Sequence, residues 1–165
     1  MTDTADSWYW ERNWNDYRRG STRVRVRWEG GEAEALIFDE GVPITSRAFL
    51  DRLPIEVPVV HVAWSGEMVM STGGHALGVA EQENRVRLVR VGDLAFDPKF
   101  DEITLTYGTA EARLPDGPNV LTVFGQIVEG VDAAAAFGRR TRFEGMQTII
   151  FEALDAFDEE RQANV

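Results

Sequence analysis

Residues Thr22 to Trp28 place Val24, Val26 and Trp28 on one side of an extended chain, with Arg23, Arg25 and Arg27 on the other. Successive side chains of a strand point to opposite faces, so this segment is a half-buried strand with one wet face. Glu29-Gly30-Gly31-Glu32 makes a turn, and Ala33 to Phe38 returns as the second arm of a hairpin. The same signal recurs over Val57–Ala63, Glu67–Ser71, Arg85–Val91, Leu94–Phe96, Glu102–Tyr107, Asn119–Val128 and Gln147–Leu154, with Pro and Gly between the runs. Two helices interrupt it. Pro43 precedes Thr45 or Ser46 as a cap, Phe49, Leu50 and Leu53 form an apolar face, and Pro54 ends the helix. The alanine-rich run Val131–Phe137 is the second. About eight strands leave fewest free edges when the sheet closes on itself. The expected fold is therefore mainly β: a closed antiparallel barrel with two short capping helices.

The 165 residues suffice for one such domain over residues 21–155. Residues 1–20 differ from the rest, with Trp8, Tyr9, Trp10, Trp14 and Tyr17 among polar neighbours. Positions 10, 14 and 17 share a helical face, so an aromatic arm is expected to pack on the barrel or to make a homo-oligomer contact. Residues 156–165 are an acidic tail.

The net charge of −11 argues against a nucleic-acid partner, which requires a basic stripe. No run of apolar residues is long enough to span a bilayer, and the N-terminus lacks the features of a secretory signal. A cytoplasmic location without membrane attachment is the expectation. The absence of cysteine excludes a disulfide framework, a thiolate nucleophile and a Cys-type zinc site.

Two stretches resemble cyclophilins. Ala35 to Leu53 runs from a strand through Val42-Pro43-Ile44-Thr45 into a helix with Phe49, similar to the opening of that family. Val123-Phe124-Gly125-Gln126-Ile127-Val128-Glu129-Gly130-Val131-Asp132 resembles its strand leading into the second helix. The middle departs from it. Val62 stands where the resemblance places the Arg of the prolyl isomerase site, and Met68-Val69-Met70-Ser71-Thr72 replaces the Gln-containing segment. Ile103-Thr104-Leu105-Thr106-Tyr107 is the candidate counterpart of the aromatic strand that follows. Without a donor to the prolyl amide, nothing evident lowers an isomerisation barrier of about 18–20 kcal/mol.

The middle is instead similar to a bacterial cyclophilin-like family of unknown function. His61-Val62-Ala63-Trp64-Ser65-Gly66-Glu67, Glu83-Asn84, Gly92-Asp93, Tyr107-Gly108, Asn119 and Glu144-Gly145 carry that likeness, from about Ala33 to Phe151. It implies a cyclophilin-like barrel and a bacterial origin, and supplies no reaction.

His61, Trp64, Ser65, Glu83, Asn84 and Tyr107 are the candidate ligand-binding residues. His61 reads either as a half-buried strand histidine with one hydrogen bond or as a ligand contact or general base. A Ser65–His61–Glu83 relay can be drawn, though such relays are recognised by geometry. Glu83-Asn84 suits a turn and equally suits recognition of a polar molecule. Tyr107 reads as core with its hydroxyl at a rim, and Asp93 and Asp97 as turn formers. Because side chains alternate, His61 and Trp64 can meet one ligand only where the strand ends or bulges near Ala63.

His61 and His75 are the only imidazoles and lack metal-ligand spacing, so no metal or other cofactor is expected. The Ser71–Gly78 run lacks the Lys of a phosphate loop and reads as a mobile hairpin loop. The leading expectation is a barrel that binds a small polar metabolite without prolyl isomerase activity. The alternatives are a hydrolase or isomerase of amide or carboxylate compounds using His61 with Glu83 or Ser65, and an oligomeric interaction protein using the arm.

Overall fold

The structure is a computed structural model and describes residues 16–73 and 77–154. Most of the aromatic arm, His75 and the acidic tail lie outside the described residues. In chain order the elements are β1 (Thr22–Trp28), β2 (Gly31–Ile37), α1 (Pro43–Leu50), β3 (Ile55–His61), β4 (Gly66–Ser71), β5 (Arg85–Val86) and β6 (Asp93–Asp97). There follow β7 (Glu102–Ala110), β8 (Arg113–Leu114), β9 (Gly117–Pro118), β10 (Leu121–Glu129), α2 (Val131–Glu144) and β11 (Gln147–Ala153).

The strands run β2-β1-β11-β3-β4-β7-β6-β10, and pairing of β10 with β2 closes the ring. Every ladder is antiparallel. Closure satisfies the edge groups that an open sheet would leave unpaired. The alternation in β1 does what its pattern implies: Val24, Val26 and Trp28 are buried and face inward, while Arg23 and Arg27 reach carboxylates outside.

The helices close the two ends. At one, Phe49 of α1 sets its ring 5.0 Å from that of Phe124 and 5.2 Å from that of Phe151. At the other, Phe137 of α2 lies 5.0 Å from Trp28. Full burial of each such ring is worth about 1.5–3 kcal/mol. Arg18 is anchored to the barrel through both oxygens of the fully buried Asp93, at 2.9 and 3.0 Å.

Three local expectations change. Arg85–Val91 pairs only at Arg85 and Val86, against Thr122 and Leu121 at the start of β10; beyond Val86 the antiparallel run passes the end of that strand, the Arg87 carbonyl accepts from the Ala112 N–H, and Leu88 and Val91 are left exposed. The second helix continues to Glu144, with Ala134, Phe137, Gly138 and Thr141 forming its buried stripe. Neither Thr45 nor Ser46 caps α1. Both are buried inside it, and the cap comes from Glu83, whose carboxylate accepts from the N–H groups of Ile44 (3.1 Å) and Thr45 (2.8 Å).

Candidate functional site

Alternation along β4 and β7 divides two environments. Val69, Leu105 and Tyr107 face the barrel interior, while Met68, Met70, Glu102 and Thr104 belong to the outer face. Residues 111–119, including the small β8–β9 hairpin, arch over that outer face. Backbone hydrogen bonds from Glu111 to Ser65, from Ala112 to Arg87 and from Asn119 to Ala112 hold the arch. Between arch and sheet lies a cleft of about 230 Å³. Val62, Met68, Met70, Ala112 and Leu121 make it largely apolar, and Trp64 (39% exposed) lies along its edge.

Its polar groups gather at one corner. Asp97 and Glu102 are directly opposed across the β6–β7 ladder. The Asp97 carboxylate is 1% exposed and already occupied: one oxygen accepts the Lys99 N–H (3.0 Å), and the other accepts Asn119 Nδ2 (2.8 Å). Lys99 in turn donates its ammonium to Asn119 Oδ1. Glu102 is half-buried and no described residue hydrogen-bonds or ion-pairs its carboxylate. Burial, and then the charge of Asp97, push its pKa above the usual carboxylate range. Two positions on, Thr104 also lines the cleft; it is almost wholly buried, and its hydroxyl has no hydrogen-bond partner among the described residues.

The six residues expected to bind together are dispersed. Trp64 and Ser65 line the cleft. β3 does end at His61, as sharing a ligand would require, but His61 faces inward beside Tyr107, with ring centroids 6.3 Å apart. His61 Nε2 and the Tyr107 hydroxyl are buried without partners among the described residues. Glu83 caps α1, and the buried Asn84 donates to the Val123 carbonyl at 2.9 Å. Ser65 Oγ exchanges hydrogen bonds with the backbone of Arg113. No two of Ser65, His61 and Glu83 hydrogen-bond each other, so the drawn relay does not form. Among the described residues no cluster of three or more His, Asp or Glu side chains is arranged for a metal ion. None of the helices they form is long and apolar enough to cross a membrane.

Asp97, Glu102, Thr104 and Asn119 are the site residues that sequence reasoning missed. Asp97 is a turn former, as its bond to the N–H two residues on shows. The available signal was the hairpin itself: two acids closing a four-residue turn must face each other, and like charges so placed repel.

The class defined by this geometry is a closed antiparallel barrel with an amphipathic cleft on its outer wall. By sequence the chain belongs to a protein family of unknown function, DUF3830, which it matches over residues 24–153. No functionally curated protein matches it. It is similar in fold to the hypothetical protein AF2241 from Archaeoglobus fulgidus, at 24% identity and a TM-score of 0.57, covering 83% of this chain and 98% of that one. It is also similar to McbB, solved in complex with tryptophan, at 16% identity and a TM-score of 0.65 over 79% of this chain. The match spans only 44% of McbB.

Proposed function

We propose that this chain is a cyclophilin-like barrel that binds a small molecule in the outer cleft and does not catalyse prolyl isomerisation. The observation that carries the reading is a half-buried carboxyl, Glu102, without a partner among the described residues and set into an apolar cleft of about 230 Å³. An apolar cavity of about 150 Å³ takes a benzene molecule, so this one accommodates a ring with a short polar arm. Methionine thioethers pack well against varied apolar shapes, aromatic ones included, and Met68 and Met70 supply that floor. A few placed polar groups in a mostly apolar concavity are the usual composition of a ligand site.

Isomerisation calls for a cationic donor at the prolyl nitrogen. Val62, 3% exposed in the cleft lining, stands where the cyclophilin resemblance expects that donor, and Arg113, which lines the cleft from the arch, is exposed to solvent. Binding is tested by a thermal-shift screen of small amines, amides and carboxylates on the wild type and on Met70→Trp, which fills the cleft from its half-buried floor. A compound that raises the melting temperature of the first and not the second supports the reading, since native-state binding stabilises by mass action. Stabilisation of both by the same compounds overturns it. In a proline-peptide assay the expected rate is the uncatalysed one.

A further inference from the structure

Resting on the cleft as the ligand site, we infer that its occupant is an organic cation: a primary ammonium or amidinium carried on an apolar, ring-sized group. Two residues that line the cleft carry acceptors without partners among the described residues, the Glu102 carboxylate and the buried Thr104 hydroxyl. They stand at positions i and i+2 on the same face of β7, roughly 7 Å apart along the strand. A group with several N–H donors lying between them satisfies both. A buried polar group without a partner costs about 1–3 kcal/mol, so a ligand that brings donors to these acceptors is favoured.

The surrounding charges select the sign. Asp97 opposes Glu102 across the ladder, so the corner holds two carboxylates against one ammonium; Lys99 donates to Asn119 and ion-pairs with Asp97 at 4.0 Å, which leaves the charge of Glu102 uncompensated among the described residues. Arg113, the other cation near the cleft, is exposed to solvent. An anionic head group would add a third negative charge to a poorly hydrated corner. A bare metal ion is disfavoured because both Asp97 oxygens already accept hydrogen bonds, leaving Glu102 as the one carboxylate lining the cleft without a partner among the described residues. The apolar part of the ligand is called for by Met68, Met70 and Leu121, whose surfaces a simple hydrated cation would leave uncovered.

Protonation is linked to this recognition. An arriving ammonium favours the ionised form of Glu102, whose proton is held more tightly than that of an ordinary glutamate. Alkylammonium ions keep their charge throughout the acid and neutral range, so affinity rises with pH as Glu102 ionises.

The experiment compares three probes of one shape: 2-phenylethylamine, the neutral 2-phenylethanol and the anionic 3-phenylpropionate. Each is titrated by calorimetry into the wild type, Glu102→Gln, Thr104→Val and Met70→Trp between pH 4.5 and 7.5, with each variant's melting temperature recorded first. The amine is expected to bind the wild type at least tenfold more tightly than the other two, and more tightly at pH 7.5 than at 4.5. Glu102→Gln is expected to lose most of that preference and its pH dependence, and Thr104→Val to weaken the amine several-fold. Preferential binding of 3-phenylpropionate, or amine affinity unchanged in Glu102→Gln and flat with pH, overturns the cation assignment. Equal binding of all three probes, abolished in Met70→Trp, also overturns it while leaving the cleft as the ligand site. Failure of all three to bind counts against both.

Discussion

The ring of Tyr107 occupies the space that a side chain on Gly138 would need: a β-carbon there would lie 2.2 Å from Cγ of the ring. The backbone of α2 at Gly138 thus packs directly on the Tyr107 ring of β7, which lies beside His61. Tyr107 is 3% exposed, and burial raises its pKa above the ordinary phenol value, against the lowering influence of Arg142. Its role is packing. Gly138→Ala is expected to cost about 1–3 kcal/mol, as overpacking does. For a chain of this size that is several degrees in melting temperature, measurable by calorimetry. An unchanged melting temperature would show that the helix can slide outward freely.

Arg18 and Asp93 form a two-pronged ion pair that is almost wholly out of water, with the guanidinium also 5.5 Å from the centre of the Phe38 ring. Removing one partner of a buried pair leaves an uncompensated charge, at a cost of about 3–5 kcal/mol. Arg18→Met is expected to lower the urea midpoint by that measure. Asp93→Asn in the same background is expected to restore part of the loss. A double variant no better than the single one would show that the pair is not coupled.

Glu83 and Asn84 hold the fold rather than the ligand. Glu83→Ala deprives α1 of its cap and is expected to cost about 0.5–2 kcal/mol. Asn84→Ala leaves a buried carbonyl of Val123 without its side-chain donor, at about 1–3 kcal/mol. Both variants should bind cleft ligands as the wild type does, by calorimetry below their melting temperatures. Loss of binding with unchanged stability in either would return that residue to the site.

Glu102 makes the opposite prediction for stability. Its folded pKa is raised, so the native state holds that proton more tightly than the unfolded chain. The carboxylate therefore costs stability at pH values above the folded pKa, and the cost disappears as pH falls below the unfolded one. Without ligand, Glu102→Gln is expected to be more stable than the wild type at pH 7.5, with the difference closing by about pH 3.5. Denaturant melts across that range measure it; a difference that grows on acidification would reverse the sign.

The barrel was legible because burial on one face imposes a period of two that survives in any strand, and β1 displays it at every position from Arg23 to Trp28. Gly30, at φ 90° in the first hairpin turn, was legible as well, since that conformation strains other residues. The Arg85–Val91 run shows where pattern fails. It alternates except at Leu88-Val89, but β10 begins only at Leu121, so the antiparallel run has no partner left beyond Val86.

The candidate site was the least legible part. Alternation correctly placed His61 and Trp64 on different sides and allowed for the strand end between them. It could not say that Glu83 would find the N-terminus of α1, 38 positions away in sequence, or that Asn84 would be used up on Val123. Hydrogen-bonding groups state what they can donate or accept, and only chain closure decides which partner is within 3 Å. The sequence by itself determined most of the strands, the two helices and the inward or outward sense of residues in alternating strands such as β1, because these follow from local geometry and burial. The tertiary structure alone decided that Asp97, Glu102, Thr104 and Asn119 would meet two methionines under the 111–119 arch. Their joint environment arises from strands and a loop distant in the chain, and no local period records it.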